Sequence, residues 1–389
     1  MNKCSGIPVT PDFIKHEWIP LESVILRERF VELHWKDGLV YQAFSLWLLE
    51  NAPSIGIDPI IRESTVEPSE LPQASVLRDA SVDSDGALLL DWSGHDLIRV
   101  HPGWLRYVAE GKLTVSSGLP VLQRWDSSAI DAPISLDAEH ILERNDLQRE
   151  WLEGLVRFGL VRLKGTPAEA GFLEELMGSV GPIRASNFGA IFTVQSAPVP
   201  DSTANTGLRL GQHTDLPTRE TPPGYQFLHC LDNDVAGGNS RMTDGLAVVQ
   251  ALQDEQPEAF ELLTTERWLF MNRTPDAEHR WEGSIIELPS QGRPLTLRAF
   301  YPVRSAPLMS PEKIPAAYEA LATFSSYAHD PRYQISFPIL KGDLIGFDNR
   351  RVMHGRDAFD VSGPRHLVGC YIDHDEVYSR LRVLNRPQN

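Results

Sequence analysis

Cysteine is scarce in this chain of 389 residues: three in all, at Cys4, Cys230 and Cys370. That is too few and too scattered for a disulfide framework or a cysteine zinc cluster. A chain of this size buries enough surface to hold a core without such staples. No run approaches the roughly 18 apolar residues of a membrane span, and the start MNKCSGIPVTPDF has no signal-peptide core, so the cytoplasm is expected. Positive charge is also short, with 36 Lys and Arg against 53 Asp and Glu for a net −17, which disfavours phosphate backbones as partners. GxGxxG and GxxxxGK[ST] are both absent, and with them the usual phosphate cradles. No repeat or low-complexity tract appears. What remains is a chain with 42% hydrophobic and 23% charged residues, the composition of a globular protein. The expected partner is a small molecule, with no nucleic acid and no membrane. Assembly as a homodimer stays open.

Periodicity divides the chain. Residues 1–125 read as a small, mainly β module: VELHWKDG alternates into the turn Asp37-Gly38, and ALLLDWSGHDLIRV flanks Ser93-Gly94 with two β-prone runs. Two short helical pieces, QAFSLWLLENAP and HPGWLRYVAEG, accompany them. The polar stretch 126–136 reads as a linker. In 137–389, DLQREWLEGLVRFG sets Leu147, Trp151, Leu155 and Phe158 on one helical face. PAEAGFLEELMGSVG makes a second helix. Strand-like runs follow (FTVQ, YQFLHCL, PLTLRAFY, YQISFPI, DLIGFDN, HLVGCYID), interrupted by the helical AVVQALQDEQPEAFELL and PEKIPAAYEALATFSSYAHD. Many strands with helices around them predict an α+β fold, a sandwich or barrel with helical decoration.

An open iron site needs two imidazoles and a carboxylate on one face. His-x-Asp on a strand delivers two of these, because residues i and i+2 point the same way. The pattern occurs as His213-Thr214-Asp215 and as His374-Asp375-Glu376, but only the first has histidines downstream to complete the set. His354, in GDLIGFDNRRVMHGRDAF, follows a strand and a turn. Arg365 lies on the next expected strand, where its planar fork suits the far carboxylate of a dicarboxylate cosubstrate.

HTDLPTRETPPGYQFLHCL, GGNSRMTDG, GDLIGFDNRRVMHGR and GPRHLVGCYIDHDEVYSRLRVL together resemble the γ-butyrobetaine hydroxylase branch of the taurine-dioxygenase-like, Fe(II)- and 2-oxoglutarate-dependent oxygenases. The resemblance covers residues from about 140 to 385, and more weakly about 20 to 110, the branch's small N-terminal domain. It implies a distorted double-stranded β-helix (jelly roll), with Fe(II), 2-oxoglutarate and O2 as the reagents. Carried over by position, His213, Asp215 and His354 match the iron ligands and Arg365 the cosubstrate anchor. Ser240, Arg356 and Leu228 match positions around that cosubstrate. The outcome implied is oxidation, most simply hydroxylation, of an unactivated C–H of a small polar metabolite, with a hydroxylase of γ-butyrobetaine or a related trimethylammonium compound as the alternative. Rival readings of other classes are a cupin-type redox-neutral metal enzyme and a non-catalytic binding protein.

The chain departs from this pattern in two places. Relatives bind zinc in the N-terminal domain through three cysteines and a histidine; those positions here read Ala52, Ser54 and Ile57, leaving only His95. One imidazole does not make a structural zinc site, so no structural zinc is expected. The aromatic cage for a trimethylammonium group is also altered. Phe188, Phe192 and Tyr371 stay aromatic, Asn205 and Leu216 do not, and Pro302-Val303 stands where relatives have amide donors. Arg304 is the nearby candidate for an anion. γ-Butyrobetaine itself is therefore expected to be a poor substrate, and the true substrate to carry a different head group or a different anion.

Overall fold

The computed structural model describes residues 6–53, 55–67, 69, 76–195, 206–273, 277–290, 294–360 and 363–386. They form two compact units, Met1–Ser117 with Arg386–Asn389, and Gly118–Asn385.

In the first unit β1 (Leu21–Leu26), β2 (Phe30–Trp35) and β3 (Val40–Phe44) make one antiparallel sheet, followed by α1 (Ser45–Glu50). A second sheet holds β4 (Leu77–Val82), β5 (Leu88–Trp92) and β6 (Ile98–Val100), followed by α2 (Pro102–Ala109). Val31, Leu33 and Trp35 alternate inward along β2, and Gly38, at φ 88°, makes the turn to β3 that its neighbour Asp37 announces. Trp47 of α1 stacks on Trp104 of α2 with centroids 5.2 Å apart. The core of this unit is mostly Leu, Trp, Ala and Val.

The second unit runs β7 (Ile134–Asp137), α3 (Asn145–Phe158), β8 (Leu160–Lys164), α4 (Phe172–Gly178), β9 (Ile191–Gln195), β10 (Leu210–His213), β11 (Tyr225–Asn233) and β12 (Ser240–Asp244). It continues through α5 (Gly245–Glu255), α6 (Pro257–Thr265), β13 (Trp268–Arg273), β14 (Glu278–Gly283), β15 (Ile286–Glu287), β16 (Thr296–Leu297) and β17 (Arg304–Pro307). The last elements are α7 (Ile314–His329), β18 (Gln334–Phe337), β19 (Leu344–Asp348), β20 (Val352–Arg356), β21 (Arg365–Ile372) and α8 (His374–Leu384). A six-stranded sheet, β7-β8-β19-β11-β21-β9, faces a four-stranded one, β10-β20-β12-β18. Between them lies a core with Cys230, Ile345, Phe347 and Leu367 from the larger sheet and Met242, Ile335, Phe337 and Val352 from the smaller. Helices α3, α4 and α8 cover the outer face of the larger sheet, while α5 and α7 cover the smaller. This is the double-stranded β-helix expected.

Three local expectations are corrected. The boundary between units falls at Ser117/Gly118, and the polar stretch 126–136 belongs to the second unit. There Trp125 is buried and Ile134–Asp137 pairs parallel to β8 as an edge strand, bonded on one side only and so tolerant of polar residues. The helical run AVVQALQDEQPEAFELL breaks into α5 and α6 at Pro257, which offers no N–H and keeps Gln256 out of the helical region, at φ −139° and ψ 58°. PLTLRAFY shrinks to the two residues of β16, and the backbone after it braces the site instead.

Candidate active site

Strand parity aims the side chains. On β21 Arg365, Leu367 and Tyr371 face inward, as do Gln226 and Leu228 on β11, Ser240 and Met242 on β12, and His354 and Arg356 on β20. All line one cavity of about 310 Å³ between the two sheets.

β10 is the exception to simple alternation. Leu210 pairs with Arg356 and His213 with His354, so three steps on β10 oppose two on β20. That extra residue is a β-bulge, which turns both Leu210 and His213 into the cavity. The strand ends at His213, so Asp215 is not presented by pleat alternation as the sequence argument held. It is carried by a braced turn. Thr214 donates its N–H to Ala299 O (2.9 Å) and its hydroxyl to Leu297 O (2.9 Å). The Asn349 carboxamide accepts from Asp215 N (2.6 Å) and donates to Asp215 O (3.0 Å). Leu216 closes the turn at φ 53°. Beyond it Arg298, 1% exposed, donates to the carbonyls of Pro217, Arg219 and Glu220 and pairs with Glu287 at 2.6 Å.

His213, Asp215 and His354 form the one group of three His, Cys, Asp or Glu side chains among the described residues whose ligand atoms converge, all within 4.8 Å of one another. His213 Nδ1 lies 2.9 Å from Gly211 O. A carbonyl only accepts, so Nδ1 carries a proton there, and Nε2 faces Asp215 Oδ1, 3.2 Å away. His354 Nε2 lies 3.7 Å from the same oxygen. Burial, then the neighbouring His213, pushes the His354 imidazole down to about 3, so it is neutral. Burial alone would raise the Asp215 carboxyl, but the two rings and the Tyr371 hydroxyl hold it below the usual carboxylate range. Two imidazoles and one carboxylate converging on one point are a donor set that iron accepts.

Tyr371 donates its hydroxyl to Asp215 Oδ2 at 2.7 Å. The side chain read as cage aromatic therefore also orients a ligand, with its ring 5.0 Å from Phe192. Also lining the cavity, Arg356 and Arg365 are both buried and both lie over the Phe359 ring, at 4.6 and 5.1 Å. Arg356 donates to Thr206 O and Leu208 O. Its guanidinium is pushed down to about 10 by burial and by Arg365. Arg365 Nε is buried with no partner among the described residues, and no carboxylate offsets its charge. A buried cation left in this state calls for an anionic ligand.

Of the other residues read from sequence, Ser240, Leu228, Phe188, Phe192 and Leu216 line the cavity, Phe188 half exposed at its edge. Asn205 lies outside the described residues. Arg304 does not reach the cavity. It lies over Trp268 (5.3 Å) and Tyr318 (5.9 Å) instead, at the point where the 3-10 turn that ends at Val303 gives way to β17. His374 hydrogen-bonds Asp348 at 3.0 Å and, among the described residues, belongs to no convergent cluster, so the His374-Asp375-Glu376 pattern forms no such group there. Gln226, Asn272 and Phe300 are cavity residues that the sequence argument missed. The Phe300 ring sits 4.9 Å from His213. For Gln226, inward parity with Leu228 was the available signal.

The taurine catabolism dioxygenase TauD, TfdA family profile matches residues 122–371. A gamma-butyrobetaine dioxygenase from Pseudomonas sp. (strain AK-1) is 37% identical over 372 residues, covering 94% of this chain and 97% of its own. The Homo sapiens gamma-butyrobetaine dioxygenase is 32% identical over 287 residues, covering 72% of this chain and 73% of its own. Among solved structures, AAD-2 in complex with Mn(II) and N-oxalylglycine superimposes with a TM-score of 0.51 at 16% identity, over 62% of this chain and 96% of that one, a likeness of fold. Fold, convergent cluster and relatives together define a non-haem iron, 2-oxoglutarate-dependent dioxygenase. The chain belongs to the taurine catabolism dioxygenase TauD, TfdA family, in its γ-butyrobetaine hydroxylase-like branch.

Proposed function

We propose that this enzyme hydroxylates a C–H of a small trimethylammonium compound. The observation that carries the reading is one cavity lined by the His213–Asp215–His354 cluster, by an Arg365 uncompensated among the described residues, and by aromatic rings. His213, Asp215 and His354 would hold Fe(II). Arg365 would clasp the distal carboxylate of 2-oxoglutarate through two parallel hydrogen bonds, with Ser240, Arg356 and Leu228 alongside. With iron bound, the centre supplies oxidative decarboxylation of 2-oxoglutarate to succinate and CO2, coupled to oxidation of the substrate. The chain's own part is to orient. Tyr371 and the Gly211 carbonyl fix the ligand faces, and the apolar wall keeps water from the reacting carbon.

The head-group assignment rests on Phe188, Phe192, Phe300 and Tyr371, whose rings line the cavity and suit a diffuse cation. Phe300 adds a ring face that the altered cage lacked on sequence grounds. The test is succinate release with trimethylammonium substrates against analogues in which a neutral quaternary carbon replaces the nitrogen. The neutral analogue should fall by roughly tenfold in kcat/KM. Equal turnover of the pair would remove the cation from the proposal. γ-Butyrobetaine should be turned over slowly, since Leu216 and Val303 line the wall without a ring or a donor. Efficient conversion would overturn that narrower point. We assign the unit of residues 1–117 as an accessory domain without structural zinc, Ala52 and Ile57 being buried apolar side chains, and the enzyme to the cytoplasm. Among the described residues no helix is long and apolar enough to cross a membrane.

A further inference from the structure

Behind the strand that carries His213 lies a second cavity, of about 290 Å³. The bulge in β10 creates it. By turning Leu210 and His213 forward, the bulge sends Gly211 and Gln212 to the rear, where both line this second space. Gln212 is 9% exposed, and both its carboxamide nitrogen and its carboxamide oxygen are buried without a hydrogen-bond partner among the described residues. Leaving such an atom bare in a dry interior is costly. A primary amide with both ends unmet is complementary to a group that donates and accepts at once.

The rest of the lining adds charge of one sign. Arg304 enters here, its guanidinium face resting on Trp268 and Tyr318 and no carboxylate offsetting it. Exposed Arg209 lines the same space, and no Asp or Glu does among the described residues. Arg298, also in the lining, is already neutralised by Glu287, and His329 Nε2 accepts from Gln212 N at 3.1 Å. In a chain of net charge −17, a cavity lined by two arginines without a paired carboxylate is a local reversal of sign.

We propose that this rear cavity is a second small-molecule site, which takes a small hydroxycarboxylate. The carboxylate meets Arg304, with Arg209 nearby, and the hydroxyl both donates to and accepts from the Gln212 carboxamide. The site is distinct from the catalytic cavity but shares one wall with it. Phe300 lines both, and its ring stands against His213. An occupant would therefore sit one side chain away from the metal-facing imidazole.

Calorimetric titration of the full-length protein tests this, with the catalytic cavity first saturated by Mn(II) and N-oxalylglycine. Glycolate, lactate and malate are the probes. At least one should bind with one-to-one stoichiometry, and Gln212→Met and Arg304→Met should each weaken it by roughly ten- to a hundredfold. Both variants should keep the binding of Mn(II) and N-oxalylglycine, which reports that they are folded. Binding by none of the three probes, or binding that survives both substitutions, would mean that the cavity holds only water and would overturn the proposal.

Discussion

His101 in the first unit and His354 in the second are both nearly sealed from solvent, 5% and 8% exposed, yet their rings are used in opposite ways. His101 caps α2, its Nδ1 accepting from Gly103 N (3.1 Å) and Trp104 N (3.2 Å). The need of that ring is met by its own helix. His354 Nδ1 has no partner among the described residues, and its Nε2 turns toward Asp215 and His213. The same contrast extends to arginine. Arg99 in the first unit is paired with Asp83 at 2.6 Å, whereas Arg365 in the second is buried and uncompensated. In these two pairs the polarity that the chain satisfies itself is structural, while the polarity left open lines the cavity between the two sheets.

The sharpest way to break this contrast is to delete each imidazole. His354→Ala should abolish the weak visible band formed anaerobically with Fe(II) and 2-oxoglutarate, whereas His101→Ala should leave it intact. A band that persists in His354→Ala would refute the triad. A smaller effect is expected from pH in the first unit. Burial, with His16 and Arg99 nearby, pushes the folded His101 ring down to about 4, below its ordinary 6.5. The unfolded chain then binds the extra proton first. Stability is therefore full above about 6.5 and declines toward pH 4, by up to about 3 kcal/mol. Amide hydrogen exchange in α2 should accelerate over that window, and His101→Gln should flatten the profile. A pH-independent wild type would show that the cap is not titrating.

Arg365→Lys keeps the charge but loses the fork. The affinity for 2-oxoglutarate should weaken by roughly 1.5–3 kcal/mol, measured by titrating the same visible band. Unchanged affinity would place the cosubstrate elsewhere. The smallest effect belongs to Tyr371→Phe, which removes one donor from Asp215 and should lower iron affinity by about 1 kcal/mol. An equilibrium metal competition that finds no difference would reduce Tyr371 to a packing ring.

What was legible in the sequence follows the period of two. Arg365, Leu228, Ser240 and His354 stand at inward positions of well-patterned strands, so their convergence needed only the fold. The features that stayed hidden depend on one residue too many or on distant partners. The β10 bulge reverses the side on which Gln212 lies, and no periodicity marks an inserted residue. Asn349 reads as an ordinary turn residue until Asp215 is found against it. The stretch 126–136 looked like a linker because an edge strand paired on one side is as polar as a loop.

Arg298 has a further consequence, for how this region can change over generations. One buried guanidinium counts out three carbonyls, at Pro217, Arg219 and Glu220, from a fixed point on the neighbouring segment. A substitution along that stretch leaves the carbonyls in place, because they belong to the backbone. An added or deleted residue moves at least one of them out of reach and strands an N–H in a dry interior. The turn after Asp215 is thus free to vary in side chain and bound in length. Changes of specificity along this edge of the cavity must come by exchange of residues, not by lengthening the loop.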